Sequence, residues 1–557
     1  MRYGRARARK IARMSQRLWI AALLGAIVLW FLPLGSYRLF NPDEGRYSEI
    51  PREMVASGDW VTPRLDALRY FEKPPLQYWA TAAAYQLFGE HEWSARLWVA
   101  LTGFLGLVLT GWIGTRLYGA QCGALAALVQ AGSLLYLGLA RISTLDMGLT
   151  FTLELALVGL LLLVPRGAAP RLGALLLAIG VALAFLSKGL IGILIPGAVA
   201  GLYLLLRRDW RLVLRARPWW TIAALAVVAA PWVWLVALRN PGFAQFFFIH
   251  EHFARFLTRV HARYEPDWFF IPVVLLGFMP WTPLLPAIAR RCWRASRGPE
   301  AVAEGANLML VIWVMFGFGF FSLSQSKLVP YILPLFPALS ILAGRCLAAA
   351  QRRQLSRALL FSASIWLALA LAVAWAWHVP MIAQRLDIAA GPAAPAMAAG
   401  LLAAALITGA AGWLASRRGV LPATGLATLG SLVLVSALLA AANQLPRQVN
   451  LMALVAATAS RLGPDTALYC VDDYEQSIPF YLRRTCTLVG YRGELDFGLQ
   501  QEPSRWIPDL QQFAARWQGE ADAVAVIRSE SFATLSRMGL PMRVIYTAPS
   551  LVAVMRR

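Results

Sequence analysis

A polytopic α-helical membrane protein of about 13 transmembrane helices, followed by a small C-terminal α/β domain, is the fold class this sequence predicts. Three observations predict it. Hydrophobic residues make up 59% of the 557 positions and charged residues only 15%, a balance that ordinary soluble chains of this length do not have. Thirteen apolar stretches approach the ~20 residues a helix needs to cross hydrocarbon, where every backbone polar group must be paired internally. Cationic residues alternate between these stretches: with the N-terminus inside, the inside segments hold 25 of the 52 Lys and Arg, the outside segments between spans hold 15 over a greater length, and the tail holds 12. Acidic residues sharpen the contrast, since only Asp209, Glu300 and Glu304 fall inside against fourteen outside up to residue 442. The net charge of +23 thus reports topology and contact with anionic membrane lipids, and no nucleic-acid partner is expected.

Taken in order, MRYGRARARKIARMSQR precedes an apolar run with no small-residue cleavage site, and it reads as the inside flank of a retained first span, 18–36. A long outside loop, 37–96, follows. Spans are then expected at 97–117, 121–140, 145–164, 172–187, 190–206 and 219–238, and at 269–290, 306–323, 329–349, 358–378, 396–416 and 422–442. Gly and Ala enrichment at 388–412 and 421–442 marks close helix packing. Thirteen crossings divide the chain into a membrane domain, 1–442, and an outside domain, 443–557. The latter alternates β-like TALYCV, helical EQSIPFYLRR, β-like TCTLVG and ADAVAVI, a helix, and paired RVIYTA and LVAVMRR. Cys122, Cys292 and Cys346 belong to the membrane part; Cys470 and Cys486 lie on neighbouring β-like segments. An oxidising compartment permits a disulfide between that pair, and the sequence does not decide it.

The loop 37–96 is far longer than its neighbours, and loops of that length usually carry function. Asn41, Pro42, Asp43 and Glu44 form a helix start, with Asn41 as cap, Pro42 in the first helical position and Glu44 reaching back to close a capping box. Gly58 ends that helix. Asp43 shares a face with Arg46, Tyr47 and Ile50, so an acid, a base and a phenol project together. The alternative is that Asp43 and Glu44 only complement the helix dipole. Further on, Phe71-Glu72-Lys73-Pro74-Pro75 makes a stiff corner from which Glu72 and Lys73 point, either as chemistry or as a surface ion pair.

Other charges sit at outside corners near membrane depth, where an unpaired ion is costly. Arg141 and Asp146 bracket one helix entry, and Lys188 interrupts a long apolar stretch. Lys327 precedes LVPYILPLFP, which contains Tyr331, and FFFIHEHFARFLTR carries His250, Glu251, His252, Arg255 and Arg259. Each cation has a headgroup-anchor alternative. Arg46, Lys73, Lys188, Arg255 and Lys327 nevertheless all fall outside, where the positive-inside tendency disfavours them, and together they suggest a basic pocket for phosphate. No zinc-type spacing is present; Glu72 and His252 could still meet in space around a divalent metal, which the sequence leaves open. There is no phosphate-cradling Gly-rich loop, no Ser-His-Asp order and no nucleotide fingerprint. No cofactor is therefore required, and the energy must come from a preactivated substrate such as a lipid-linked sugar phosphate.

With these residues in view, the chain resembles a C-type membrane glycosyltransferase related to protein O-mannosyltransferases, and more closely the bacterial 4-amino-4-deoxy-L-arabinose (aminoarabinose) lipid A transferases. The resemblance is carried by NPDEGRYSEIPREMVASGDWVTPRLDALRYFEKPPLQYW, by STLDMGL around Asp146, by LSKG around Lys188 and by KLVPYILPLFP; the tail carries no motif. It implies an inverting transferase of the bacterial inner membrane, with amphipathic helices in the first periplasmic loop. Such an enzyme moves the amino sugar from undecaprenyl phosphate to lipid A phosphates on the periplasmic face and so confers resistance to polymyxin and other cationic peptides. It also implies Asp43 as the catalytic carboxylate and Arg46, Lys73 and Tyr331 as donor-phosphate ligands, to which the basic-pocket reading adds Lys188, Lys327 and Arg255. Glu44, Tyr47, Glu72, Asp146 and His252 would support the site, and a monomer is expected. Two other readings remain open: a sibling transferase with another acceptor, such as a protein O-mannosyltransferase, and a lipid or solute transporter, although no internal repeat of the transporter kind is found.

Overall fold

The computed structural model describes residues 25, 27–164, 169–254, 264–297, 305–385 and 392–556. Among them, nine helices are long and apolar enough to cross a membrane, from Glu92–Tyr118 to Val420–Ala442, and a tenth crossing is formed if the bent pair Phe270–Gly277 and Thr282–Ala295 is one span. Three expected spans account for the difference from the sequence count. The first, 18–36, lies partly outside the described residues, and its described end is the 3-10 helix Leu32–Gly35. The segment 121–140 breaks at Ser133 into Ala120–Gly132 and Leu134–Leu139, and 190–206 forms the 17-residue helix Ile191–Arg207. The break and the bend meet: Leu134 N–H donates to the Met279 carbonyl at 3.3 Å, inside the 106° turn. Each irregular stretch thereby satisfies backbone groups the other leaves open.

The long loop folds into helix α1 (Asp43–Ser57), a hairpin of β1 (Arg64–Leu65) and β2 (Leu68–Arg69), and helix α2 (Leu76–Phe88), before the spanning helix α3 (Glu92–Tyr118). α1 ends where expected, at Gly58 with φ 70°. Its start differs. Pro42 is the N-cap and no side chain caps it. Asn41 instead bonds Ser477 of the C-terminal domain through both its amide atoms, Nδ2 to Oγ at 2.8 Å and Oδ1 from the backbone N–H at 3.0 Å. Every residue of α1 from Glu44 to Met54 is buried, because the C-terminal domain covers the face that the membrane helices do not.

That domain is a six-stranded sheet in the order β5-β4-β3-β6-β8-β7, where β3 is Ala467–Val471, β4 Thr487–Val489, β5 Trp506–Ile507, β6 Ala523–Arg528, β7 Met542–Thr547 and β8 Leu551–Arg556. The first four strands run parallel and β7 and β8 are antiparallel, so the central strands are buried on both faces. Alternation along β3 divides the work. Leu468 and Cys470 pack on Tyr47, Ile50 and Met54 of α1, while Tyr469 and Val471 pack on Phe513 and Trp517 of the helix Leu510–Gly519. Cys470 and Cys486 are joined in a disulfide within the core shared with α1. The helix Leu510–Gly519 and the strand β5 were not anticipated, although the Asp509 cap and the Phe513 and Trp517 spacing are in the sequence.

The hairpin turn, Asp66-Ala67, has both residues at positive φ, 56° and 63°. A two-residue turn of that hand matches strand twist but strains non-glycine residues. Glu53 of α1 offsets the strain by accepting the N–H groups of Asp66 at 2.5 Å and Ala67 at 2.8 Å, and Asp66 in turn accepts the Cys486 N–H at 2.7 Å. Two carboxyls are thus buried between loop and domain, facing Glu49, Arg52 and Tyr474. Burial, with Asp66 adding to it, pushes the Glu53 carboxyl up to about 7; burial also holds Asp66 well above its usual range. The folded pKa values lie above the unfolded ones, so the stability they contribute is present in acid and is lost as pH rises through them. Thermal unfolding of the detergent-solubilised protein is therefore expected to show stability falling by on the order of 1–3 kcal/mol between pH 5 and pH 7.5. In Glu53→Gln that slope should flatten; an unchanged slope would place the titration elsewhere.

Candidate active site

Adjacent carboxylates at the start of α1 have opposite fates. Glu44 is 0% exposed and is bound on both oxygens: Oε1 accepts Arg96 Nε at 2.8 Å and Ser143 N–H at 2.7 Å, and Oε2 accepts Arg96 Nη2 at 2.8 Å and Phe40 N–H at 2.9 Å. Arg96 spends its remaining donors on the carbonyls of Leu34, Tyr37 and Arg38. All five N–H groups of the guanidinium and all four acceptor positions of the carboxylate are used, so the pair is a saturated brace. Asp43, by contrast, keeps 44% of its side chain exposed and, among the described residues, has one ion pair, with the edge of Arg46, Oδ1 to Nη1 at 3.7 Å. The expected reach of Glu44 back along the chain is real but ends on Phe40, and Glu44 has no lone pair left for a ligand.

Arg46 is buried and held from the other side. Its Nε donates to Gln476 Oε1 at 2.9 Å and its Nη2 to Glu494 Oε1 at 3.0 Å, both in the C-terminal domain, leaving Nη1 toward Asp43 and, at 3.5 Å, the Tyr70 hydroxyl. Nε and one N–H of Nη2 are committed to the C-terminal domain, and the outer edge of Nη1 and Nη2 faces Asp43 and Tyr70, with N–H groups left for a phosphate. The backbone approach behind this is close. A Cβ on Gly45 would lie 2.5 Å from the Gln476 carbonyl carbon and from Ser477 N, a distance only glycine permits.

Next to Arg46, Tyr47 packs on Tyr78 with ring centroids 6.3 Å apart. Burial holds its phenol well above the usual range; Arg46 opposes this, and Asp43, Glu72 and Asp146 reinforce it. Tyr47 therefore stays a hydroxyl, and its electrostatic surroundings tie the three carboxylates and Arg46 into one neighbourhood. Lys73 donates from Nζ to Glu251 Oε2 at 3.0 Å and to the Glu72 carbonyl at 2.7 Å, with the Glu72 carboxylate at 3.7 Å. At the other edge, Lys188 bonds Asp146 Oδ1 at 2.6 Å and lies 4.2 Å from the centroid of the Tyr331 ring, a cation–π contact.

Six of the sequence candidates besides Asp43 are thus gathered with it: Arg46, Tyr47, Glu72, Lys73, Asp146 and Lys188, with Tyr331 beneath the last. Lys327 is not joined to them by any described contact; its ammonium is buried against the Glu265 carbonyl at 2.8 Å and Asp267 at 3.5 Å. Arg255 lies outside the described residues, as does the side chain of His252. The gathered cations are already partnered by carboxylates, so an arriving phosphate must share them. Among the described residues no three His, Cys, Asp or Glu side chains are grouped to hold a metal ion, and Glu72 is the only described member of the expected pair. Sequence reasoning missed Glu251 as the partner of Lys73, and it missed Gln476 and Glu494 altogether.

The chain matches known proteins over nearly its whole length. The sequence model for the aminoarabinose transferase C-terminal domain matches residues 454–556, and that for dolichyl-phosphate-mannose-protein mannosyltransferase matches 72–234. The undecaprenyl phosphate-alpha-4-amino-4-deoxy-L-arabinose arabinosyl transferase of Pseudomonas aeruginosa (strain UCBPP-PA14) is 32% identical over 93% of this chain and 94% of its own length. The protein of the same description from Aeromonas salmonicida is 36% identical, but that match spans only 57% of each chain. The crystal structure of ArnT from Cupriavidus metallidurans bound to undecaprenyl phosphate superposes with a TM-score of 0.88 at 35% identity, covering 96% of this chain and 98% of that one. The apo crystal structure of the same protein gives 0.88 at 34% identity, covering 97% and 98%.

Proposed function

The chain belongs to the family of undecaprenyl phosphate-α-4-amino-4-deoxy-L-arabinose arabinosyl transferases, and from that premise we propose that it moves aminoarabinose from undecaprenyl phosphate to phosphate groups of lipid A. The observation that carries this reading is the half-open carboxylate of Asp43, beside Arg46 and within one neighbourhood of Lys73 and Lys188, in a fold shared over nearly its whole length with a structure that holds undecaprenyl phosphate. The proposed setting is the inner membrane, with N-terminus cytoplasmic and loop 37–96 and C-terminal domain periplasmic, as the distribution of Lys and Arg favours. The proposed active unit is a single chain. Capping lipid A phosphates with an amino sugar lowers the negative surface charge that polymyxin and other cationic peptides bind, which gives resistance as the outcome.

The reaction is a displacement at the anomeric carbon. An acceptor phosphate oxygen forms the new C–O bond, the bond to the donor phosphate breaks, and undecaprenyl phosphate leaves with the bonding pair; one displacement inverts the configuration. A phosphate monoester is largely ionised near neutral pH, so Asp43 is not needed to strip a proton from a poor nucleophile. Its roles are to accept any residual proton, orient the nucleophile and steady positive charge growing on the sugar. Lys73 and Lys188 stabilise the departing lipid phosphate and offset repulsion between two anions. A divalent ion held by Glu72 and His252 would add to the same effect, and transfer assayed with and without chelator tests it.

The decisive experiment is mass spectrometry of lipid A from cells with and without the protein. A pentosamine increment that depends on the chain supports the assignment; its absence, with sugar appearing on Ser- or Thr-containing peptide, would move the chain to a protein acceptor. For the donor, Lys73→Ala removes a charged hydrogen-bond donor and is expected to raise the KM for undecaprenyl-linked sugar by about 10- to 150-fold, the equivalent of about 1.5–3 kcal/mol. An unchanged donor KM would make Lys73 a structural anchor for Glu251.

A further inference from the structure

Three contacts bring the C-terminal domain to the reacting edge of α1. Glu494, in the turn Gly493–Leu495, accepts Arg46 Nη2 at 3.0 Å and the Tyr491 hydroxyl at 3.1 Å, and Gln476 Nε2 also donates to it. Gln476 itself accepts Arg46 Nε at 2.9 Å. Three residues beyond Glu494, Phe497 packs between Phe71, next to Glu72 and Lys73, at 5.7 Å and Phe246, one turn before Glu251, at 4.4 Å. One short stretch of the domain therefore touches the elements carrying Asp43, Lys73 and Glu251.

We propose that Glu494 and Gln476 are positioning residues for transfer: they hold the Arg46 guanidinium on two of its nitrogens so that the third faces Asp43 without closing on it. The proposal rests on the transferase reading above. Its physical basis is that a free arginine side chain has many rotamers, whereas a planar fork fixed at Nε and Nη2 has one plane and one remaining edge. Glu494 also balances the buried guanidinium. Without that charge, the electrostatic minimum for Arg46 shifts toward Asp43, and the 3.7 Å gap would tighten into a direct pair that occupies the carboxylate oxygens the substrate needs. The donor ammoniums Lys73 and Lys188 have their own carboxylate partners, so they keep their places.

The test uses the full-length purified enzyme with undecaprenyl phosphate-linked aminoarabinose and lipid A. Glu494→Gln is expected to lower kcat about 10- to 100-fold, with donor KM within about twofold of wild type and the unfolding midpoint unchanged to within a few degrees. Gln476→Leu, which removes no charge, is expected to lower kcat with the same unchanged KM. On an Arg46→Lys background, where the fork no longer exists, Glu494→Gln should cost less than about threefold, because its effect passes through Arg46. Wild-type kcat in Glu494→Gln, or the full loss repeated on the Arg46→Lys background, overturns the proposal. Failure of the acceptor assignment is seen separately, as a wild-type enzyme that labels peptide and not lipid A; the same cycle then reads on that acceptor.

Discussion

Asp43→Asn is expected to lower kcat about 10²- to 10⁴-fold, the range removed when a positioned carboxylate is lost from a transfer reaction, while the protein remains folded. The second half of that expectation comes from the contacts. Asp43 is 44% exposed and its one described ion pair is long, so Asn at this position strands no buried partner. Arg46 keeps Glu494 and Gln476, and the brace between Glu44 and Arg96 is untouched. Donor KM should change little, because the lysines assigned to the donor phosphate are held by other carboxylates. The measurement is single-turnover transfer to lipid A beside a thermal unfolding curve. Near-normal product would remove Asp43 from the chemistry.

Arg96→Met should do the opposite, destroying the fold before the chemistry. It leaves the Glu44 carboxylate buried at 0% exposure with its two strongest donors gone, and it also orphans the carbonyls of Leu34, Tyr37 and Arg38. Breaking one side of such a pair costs about 3–5 kcal/mol, because the surviving charge has neither water nor partner. Loss of folded yield and a lowered unfolding midpoint are the readouts. The double variant Glu44→Leu with Arg96→Met is expected to recover part of the loss, since it removes the stranded charge. A single variant as stable as wild type would mean that water reaches Glu44.

These two neighbours also mark how far the sequence could be read. Composition and hydropathy are properties of long windows, so the membrane class and the α/β tail were legible, and β3, β4 and β6 to β8 fall where the apolar alternation put them. Asp43 and Glu44 are both acidic residues in the first turn of one helix, and nothing local says which is braced and which is open; only Arg96, 52 residues away, decides it. The hairpin β1-β2 was invisible because its turn is Asp66-Ala67 with no Asn-Gly signal, and its support comes from Glu53 on another element. The candidate site was partly legible, because costly charges near membrane depth stand out singly. Their partners did not stand out. Lys73 meets Glu251 across 178 residues and Arg46 meets Glu494 across 448, separations at which pattern carries no information. The break at Ser133 was missed for the same reason: the Met279 carbonyl that receives the neighbouring N–H lies in a distant bend.

The covering of α1 bears on which molecules can react. From Glu44 to Met54 the helix is sealed, while at its head Asp43 keeps 44% of its side chain exposed. A reactant therefore meets this helix at its first residue, and a phosphate carried out from a sugar ring suits that end-on approach.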